Sequence, residues 1–203
     1  DVAGVNRRID LLCDRLRKRG RFDLVVCDSV LNSTDRQQAQ TDVLTTLNAL
    51  CKPGGTVIFS GRCAEHDLKI KFSKLGNGKA RHTFFTDGEG YTAMYRAGVW
   101  VYQRFHTKGQ ALELARRFIG DVPTYNRSST SWQVQCTKRL FHYPAERDQS
   151  IGREFDLPLP KGSYGRDKDI VAALHAAIEI ERLAGDCPEM VIDYAQAMPD
   201  DDP

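Results

Sequence analysis

The sequence predicts an α/β fold in which buried parallel strands alternate with helices. Two short runs, Phe22–Cys27 and residues 56–60, are nearly all apolar and rich in β-branched residues, as is typical of strands covered on both faces. Between them, residues at about 36–51 repeat their apolar positions at helical spacing. Strand, helix and strand of these lengths form a right-handed βαβ unit, so we expect the two strands to be adjacent and parallel.

The other elements are predicted from periodicity and from breaker residues. Apolar residues at helical spacing predict a helix over about 4–19, and Gly20 is placed to end it. Residues 99–105 predict a further strand. Thr107 is placed to cap a helix that runs to about Ile119, and the alternation in residues 131–137 predicts a final strand.

A change of composition after Arg139 divides the chain. We expect residues 1–139 to form the main domain, and residues 140–203 to form a proline-marked linker, a last helix over 167–184 and an acidic tail. The glycine-containing segment 84–91 has two interpretations that the sequence leaves open, a lid over the site or a surface hairpin.

The composition is that of a globular protein, with 41% apolar and 9% aromatic residues. Six cysteines occur without a CxxC pair, and the sequence holds neither a secretory leader nor an apolar stretch of membrane-spanning length. We therefore expect a reduced, cytoplasmic protein without a membrane partner. The histidines lack the spacing of metal ligands, so we expect no metal site.

The formal net charge is only +2, but the basic residues are clustered. One cluster consists of Arg15, Arg17, Lys18, Arg19 and Arg21, and the other of Lys69, Lys71, Lys74, Lys79 and Arg81. Each cluster is either a solvated face or a patch that contacts phosphate groups.

Polar residues follow both predicted strands directly. Asp28, Ser29 and Asn32 come after the first strand, and Ser60 and Arg62 come at the end of the second. Because ligands of open parallel sheets bind at the carboxyl ends of the strands, we expect a binding site here. The alternative is that Asp28 and Asn32 only cap the helix that follows.

The order of these features resembles the second half of a known family domain. Residues 22–31 read FDLVVCDSVL and residues 50–59 read LCKPGGTVIF; residues 105–108, a helix and the strand 132–137 follow. Over residues 1–139 this order is similar to the C-terminal half of class I S-adenosylmethionine-dependent methyltransferases. The resemblance implies a partial Rossmann-like sheet, mostly parallel with an antiparallel closing strand.

The resemblance also implies a function and a cofactor. The reaction would be methyl transfer from S-adenosylmethionine to an acceptor that the sequence does not identify. Asp28 and Asn32 would be the catalytic residues, and Asp28, Ser29 and Asp1 would contact the cofactor. Class I sites work largely by aligning the nucleophile, the methyl carbon and the sulfur, so Asp28 would orient the acceptor or the amino group of the cofactor.

The acceptor side of the implied site would be lined by Ser60, Arg62 and Tyr91. Enzymes of this kind that methylate base amino groups carry Asp/Asn-Pro-Pro-Tyr/Phe after the same strand, where residues 28–31 of this chain are DSVL. Cytosine C5 enzymes need a Pro-Cys nucleophile there, and Cys27 lies inside the strand. Both DNA chemistries are disfavoured, whereas nucleic-acid binding is not.

The chain departs from the family pattern in one respect. The glycine-rich turn and the acidic strand end that hold the cofactor have no counterpart in the sequence. We expect a missing N-terminal segment or a partner chain to supply them, unless the domain is degenerate. Phe22–Cys27 should then lie at an exposed or artificially paired sheet edge, and the chain alone should be inactive and bind S-adenosylmethionine weakly.

A rival hypothesis is a non-catalytic, methyltransferase-like scaffold. Such a scaffold would bind nucleic acid or protein through the basic clusters and the C-terminal helix. Residues 32–33 and 154–160 also resemble methyltransferase-like domains found with partition-protein-like modules on plasmids and phages. Titration of the intact protein with S-adenosylmethionine separates the enzyme from the scaffold.

Overall fold

The computed structural model describes residues 2–34, 36–65, 83–85, 90–96, 99–156, 158–159, 162–163 and 165–186. The helices are α1 (Val2–Arg19), α2 (Gln37–Leu50), α3 (Lys108–Phe118), α4 (Pro144–Phe155) and α5 (Asp167–Leu183), with a short 3-10 turn at Leu31–Ser33. The strands are β1 (Phe22–Cys27), β2 (Cys51–Arg62), β3 (Thr83–Phe85), β4 (Tyr91–Arg96), β5 (Val99–Arg104), β6 (Thr124–Arg127), β7 (Ser131–Thr137), β8 (Pro158–Leu159) and β9 (Gly162–Ser163). None of the helices within these ranges is long and apolar enough to cross a membrane.

Four strands form the main sheet in the order β1-β2-β7-β6. β1 and β2 are adjacent and parallel, as the sequence predicts. β7 lies between β2 and β6 and is antiparallel to both, so β1, β2 and β6 run in one direction and β7 in the other. The predicted α/β fold, with a mostly parallel sheet and an antiparallel closing strand, is confirmed.

Strand β2 begins earlier than predicted, because the KPGG segment is a bulge within it. The register passes from the pair Phe22 and Cys51 to the pair Leu24 and Thr56. Gly55 lies where a Cβ atom would be 2.9 Å from the carbonyl oxygen of Asp23. A residue with a side chain would push the two strands apart at this point, so glycine keeps the pairing close.

One face of the sheet is covered and the other is open at β1. Val25 and Cys27 pack with residues of α2 and α3 in one core cluster. Leu24 and Val26 alternate with them and are 53% and 57% exposed. The prediction that β1 is buried on both faces is therefore wrong, because among the described residues the helices that pack with Val25 and Cys27 leave Leu24 and Val26 exposed. Within the described residues β1 pairs only with β2, so it lies at the edge of the main sheet.

The C-terminal helices form a second layer outside α1 and α2. Ile151 of α4 and Ile170 and Leu174 of α5 are fully buried, and they pack with Ile9 and Leu16 of α1. The segment between Arg139 and the last helix is therefore not all linker, since it contains α4. The predicted last helix is present as α5, whereas the domain boundary at residue 139 stays a prediction.

A buried ion pair joins α5 to the start of β1. Arg21 is completely buried and Glu181 is 4% exposed. The Arg21 backbone N–H donates to Glu181 Oε1 at 2.7 Å, and its Nε and Nη2 donate to Oε2 at 2.9 and 2.6 Å. The carboxylate thus accepts three hydrogen bonds from one residue, which fixes α5 against the α1–β1 junction.

The strands β3, β4 and β5 form a separate antiparallel sheet. Phe84 pairs with Ala93 and Phe85 with Thr92. Residues 86–89, within the segment that the sequence leaves open as a lid or a surface hairpin, lie outside the described residues. The strand predicted over 99–105 is present as β5, which contacts the turn Leu31–Ser33. The small sheet therefore lies beside the carboxyl ends of β1 and β2.

Candidate functional site

Three polar residues meet at the carboxyl ends of β1 and β2. The hydroxyl of the buried Ser60 donates to Asp28 Oδ1 at 2.5 Å and accepts from the backbone N–H of Ser29 at 2.8 Å. Ser29 Oγ also approaches Asp28 Oδ1, at 3.4 Å. Both of the hydrogen bonds to Asp28 use Oδ1, so within the described residues Asp28 Oδ2 is left to accept from a ligand. The structure thus brings together Asp28, Ser29 and Ser60, as the sequence predicts.

Ser29 has an uncommon backbone conformation. Its φ is 59°, in the left-handed region that non-glycine residues adopt at a cost of about 1–3 kcal/mol. The hydrogen bond to Ser60 holds this conformation. This conformation turns the chain directly after β1. The side chain of Asp28 is then within hydrogen-bond distance of Ser60 on the neighbouring strand.

Asn32 lies in the 3-10 turn after β1 and is 5% exposed. Its Oδ1 has no hydrogen-bond partner among the described residues, a state that costs about 1–3 kcal/mol for a buried acceptor. The cap of α2 is Arg36, without a side-chain cap hydrogen bond. The alternative that Asp28 and Asn32 serve as helix caps is therefore wrong.

Arg62 is the last residue of β2 and lies at the same edge of the sheet. Its guanidinium lies 6.0 Å from the centre of the Phe105 ring, and its carbonyl oxygen accepts from Trp132 Nε1 at 2.9 Å. Arg62 is therefore held by β7 and by the segment after β5. Of the remaining predicted site residues, Asp1 and the side chain of Tyr91 lie outside the described residues.

A buried histidine is hydrogen-bonded to the backbone of Arg62. His106 donates its backbone N–H to the Arg62 carbonyl oxygen at 3.1 Å, and its Nε2 lies 2.7 Å from Gln40 Oε1. Burial, together with the charge of Arg104, lowers the pKa of His106 to about 3. The imidazole is therefore neutral and donates from Nε2 to the amide oxygen of Gln40. Its position in the core, with the Trp132 ring 5.5 Å away, makes it structural.

No sequence pattern indicates that α4 brings the acidic side chain of Glu154 toward Cys27 of β1. Burial and the charge of Asp42 raise the pKa of Glu154 to about 7, and burial followed by the charges of Glu154 and Asp28 raises that of Cys27 to about 11. For Asp42, burial raises the pKa, but hydrogen bonds from Arg153, Gln38 and Ser150 outweigh it and the pKa is lowered. Only the three-dimensional packing brings these residues together, so no sequence pattern could have found them.

Comparison with known proteins gives similarity at the level of structure only. No protein-family model matches the chain, and no curated protein matches it. A solved structure from Listeria monocytogenes, described as a proposed S-adenosylmethionine-dependent methyltransferase, is 13% identical with a TM-score of 0.44, covering 62% of this chain and 67% of that chain. The PH0226 protein from Pyrococcus horikoshii OT3 is 14% identical with a TM-score of 0.42, covering 61% of this chain and 57% of that chain.

Proposed function

We propose that the protein to which this chain belongs transfers a methyl group from S-adenosylmethionine to an acceptor bound at the carboxyl ends of β1 and β2. The strand order carries the proposal, because an antiparallel strand inserted beside a parallel pair is the closing feature of the family that the sequence resembles. The polar group at the carboxyl ends supports it, since ligands of such sheets bind at that edge.

In this proposal the residues of this chain orient the acceptor and the cofactor. S-adenosylmethionine supplies the methyl group as an activated sulfonium, so the transfer depends mainly on alignment. Ser60 orients the carboxylate of Asp28 through Oδ1, and Oδ2 accepts a hydrogen bond from the acceptor or from the amino group of the cofactor. Asn32, with its unpartnered Oδ1, and Arg62 line the acceptor side.

The described residues fit one side of such a site. They include no glycine-rich turn at the end of a strand and no acidic residue at the end of a neighbouring strand. We propose that an N-terminal segment or a partner chain pairs with the open edge of β1 and brings these features. The exposed Leu24 and Val26 support this step, because apolar side chains on an edge strand are usually covered in the assembled protein.

We also propose a reducing, cytoplasmic setting for the protein. The five described cysteines, which are Cys13, Cys27, Cys51, Cys63 and Cys136, are all buried thiols outside disulfides. Buried thiols that form no disulfide are typical of proteins from reducing compartments.

The test is isothermal titration of the full-length protein with S-adenosylmethionine. Asp28→Asn should weaken binding or methyl transfer at least about tenfold, a loss of about 1.4 kcal/mol. The melting temperature should change by only a few degrees, as a loss of about 1 kcal/mol would produce. Asp23→Asn is the matched control, because Asp23 lies on the same strand at its amino end and is 83% exposed.

Two outcomes would count against the proposal. Equal affinity and activity in the Asp28→Asn and wild-type proteins would remove Asp28 from the site. A low-micromolar dissociation constant for the 203-residue chain alone would show that no further segment is needed. The few polar contacts of Asp28 and Ser29, at roughly 0.5–1.5 kcal/mol each, predict about millimolar affinity or weaker.

A further inference from the structure

Helix α1 has a strongly basic outer surface. It contains six arginines and lysines and two aspartates, a net charge of +4. The whole chain carries +2, so the rest of the chain is net negative. Five of the six cations lie away from the core side of the helix, and we call them the basic face: Arg7, Arg8, Arg15, Lys18 and Arg19.

The cations of the basic face form two adjoining stripes along the helix. One stripe holds Arg8, Arg15 and Arg19, which are seven and four residues apart. The other holds Arg7 and Lys18, which are eleven residues apart. These spacings return to the same side of an α-helix, and at 1.5 Å per residue each stripe is about 16 Å long. The opposite side of α1 is buried in the core by Ile9, Cys13 and Leu16.

The two acidic side chains of α1 do not neutralise the basic face. Asp10 pairs with Arg166, which precedes α5, and Asp14 pairs at 3.9 Å with Arg17, the sixth cation of the helix. Within the described residues none of the five cations of the basic face forms an ion pair. Their charges are therefore available to an anionic ligand.

Arg15, near the middle of the basic face, is held in place by uncharged groups. Its Nη1 donates to the carbonyl oxygen of Gly20 at 3.1 Å, and its guanidinium lies 5.1 Å from the centre of the Phe22 ring. Neither partner carries a negative charge. The guanidinium is thus ordered without being compensated, which lowers the entropy cost of binding an anion.

The stability of the helix does not account for the basic face. Arg15 lies three residues from Lys18 and four from Arg19, and like charges at these spacings destabilise a helix. Cations in the last turn do interact favourably with the helix dipole. Arg7 and Arg8, however, lie in the amino-terminal half of α1, whose first turn contains no acidic residue.

We propose that the basic face binds the phosphate backbone of double-stranded DNA. A duplex carries one negative charge per about 1.7 Å of its axis, so about ten phosphate charges lie within the length of one stripe. A straight row of cations on a rigid helix is complementary to such a regular polyanion. Contacts to the backbone carry no base sequence information. This binding goes beyond the proposed methyl transfer and does not depend on it.

Other anionic partners fit this surface less well. α1 contains no aromatic residue, so it offers no platform on which the bases of a single strand can stack. A helix that lies on a membrane needs a wide exposed apolar face. The apolar side of α1 is packed in the core, and of its large apolar residues only Val2 and Leu11 are exposed.

The test is a fluorescence-anisotropy titration of the chain into a labelled DNA duplex of about 20 base pairs. Four or five phosphate contacts predict that the dissociation constant rises about 150- to 500-fold between about 50 and 200 mM salt. Arg8→Gln and Arg19→Gln should each weaken binding about tenfold at the lower salt concentration and reduce the salt slope by about one. Arg8→Lys should retain most of the affinity, because the positive charge is kept.

Arg116→Gln is the matched control. Arg116 is exposed on α3, which packs in a different core cluster from α1. Its substitution removes the same charge away from the basic face, so the affinity should stay within about twofold. Thermal unfolding followed by circular dichroism verifies that each variant is folded.

Four outcomes would overturn the proposal. The duplex does not bind at the lower salt concentration, a single strand of the same length binds as tightly, or Arg8→Gln binds like Arg116→Gln. The fourth is that polyglutamate or phosphatidylglycerol vesicles bind more tightly than the duplex at equal charge concentration. Since S-adenosylmethionine is absent from these titrations, their failure leaves the methyl-transfer proposal untouched.

Discussion

Replacing Glu181 by alanine should strongly destabilise the protein. The change removes the carboxylate that accepts three hydrogen bonds from Arg21, at 2.6–2.9 Å. The guanidinium of Arg21 is completely buried, so bulk water does not replace the lost carboxylate. Removing one partner of a buried ion pair typically costs about 3–5 kcal/mol. In a chain of this size, each kcal/mol lowers the melting temperature by roughly 2–4 °C, so the expected decrease is roughly 6–20 °C.

Urea unfolding followed by circular dichroism measures this effect. The matched control is Glu179→Ala on the same helix, where Glu179 pairs with Arg182 at the surface. Exposed pairs of this kind contribute little to stability, so the midpoint should not move measurably. The double substitution Arg21→Met with Glu181→Leu should recover most of the loss, because it replaces both charges by apolar groups.

The outcome bears on the C-terminal helices as well as on one ion pair. If Glu181→Ala unfolds at the same urea concentration as Glu179→Ala, the buried pair does not fasten α5 to the α1–β1 junction. The contact between α5 and Arg21 would then have to be discarded. If the midpoint falls as expected, α5 is an integral part of the fold.

Two further substitutions test the site and its surroundings. Gly61→Ala would place a Cβ atom 2.7 Å from Cζ2 of Trp132, so it should cost about 1–3 kcal/mol in urea unfolding. Gly109→Ala, which meets nothing closer than 3.9 Å, should be neutral or stabilising, and an equal loss in both would contradict the packing. Glu154→Gln should stabilise the protein at high pH only. The pKa of Glu154 is about 7 in the folded protein against 4.5 ordinarily, so the wild type loses stability as the pH rises through this window. The urea midpoints of Glu154→Gln and of the wild type should therefore be equal at about pH 4, and the midpoint of the variant should be higher at about pH 8. The same difference at both pH values would contradict this prediction.

The main sheet was predictable because its strands and caps carry local signals. The apolar run of β1 and the alternation of β7 set their type, and the capping box of Thr107 and Gln110 begins α3 as expected. β6 was not predicted, since its four residues are mostly exposed and polar. Pro144 predicts a linker, whereas the structure has it at the start of α4. A proline in the first turn of a helix loses no hydrogen bond there, so the same residue also fits a helix start.

The candidate site was predictable in position but not in detail. The rule that ligands bind at strand ends placed Asp28, Ser29 and Ser60 at one edge, and the structure joins them by hydrogen bonds. The conformation of Ser29 and the burial of Asn32 depend on how the turn packs against the small sheet. No pattern of residue types encodes that packing, and the same holds for Glu154, which comes from a helix far along the chain.

Two local costs at this edge argue for a ligand rather than for a structural role alone. Ser29 occupies a left-handed conformation, and Asn32 buries an oxygen that no described residue satisfies. Each costs about 1–3 kcal/mol, and the fold does not require either, because glycine at 29 and an apolar residue at 32 would remove them. Deviations of this kind concentrate at functional sites in natural proteins. They lie on the same turn, next to the carboxylate of Asp28, where we propose that the ligand binds.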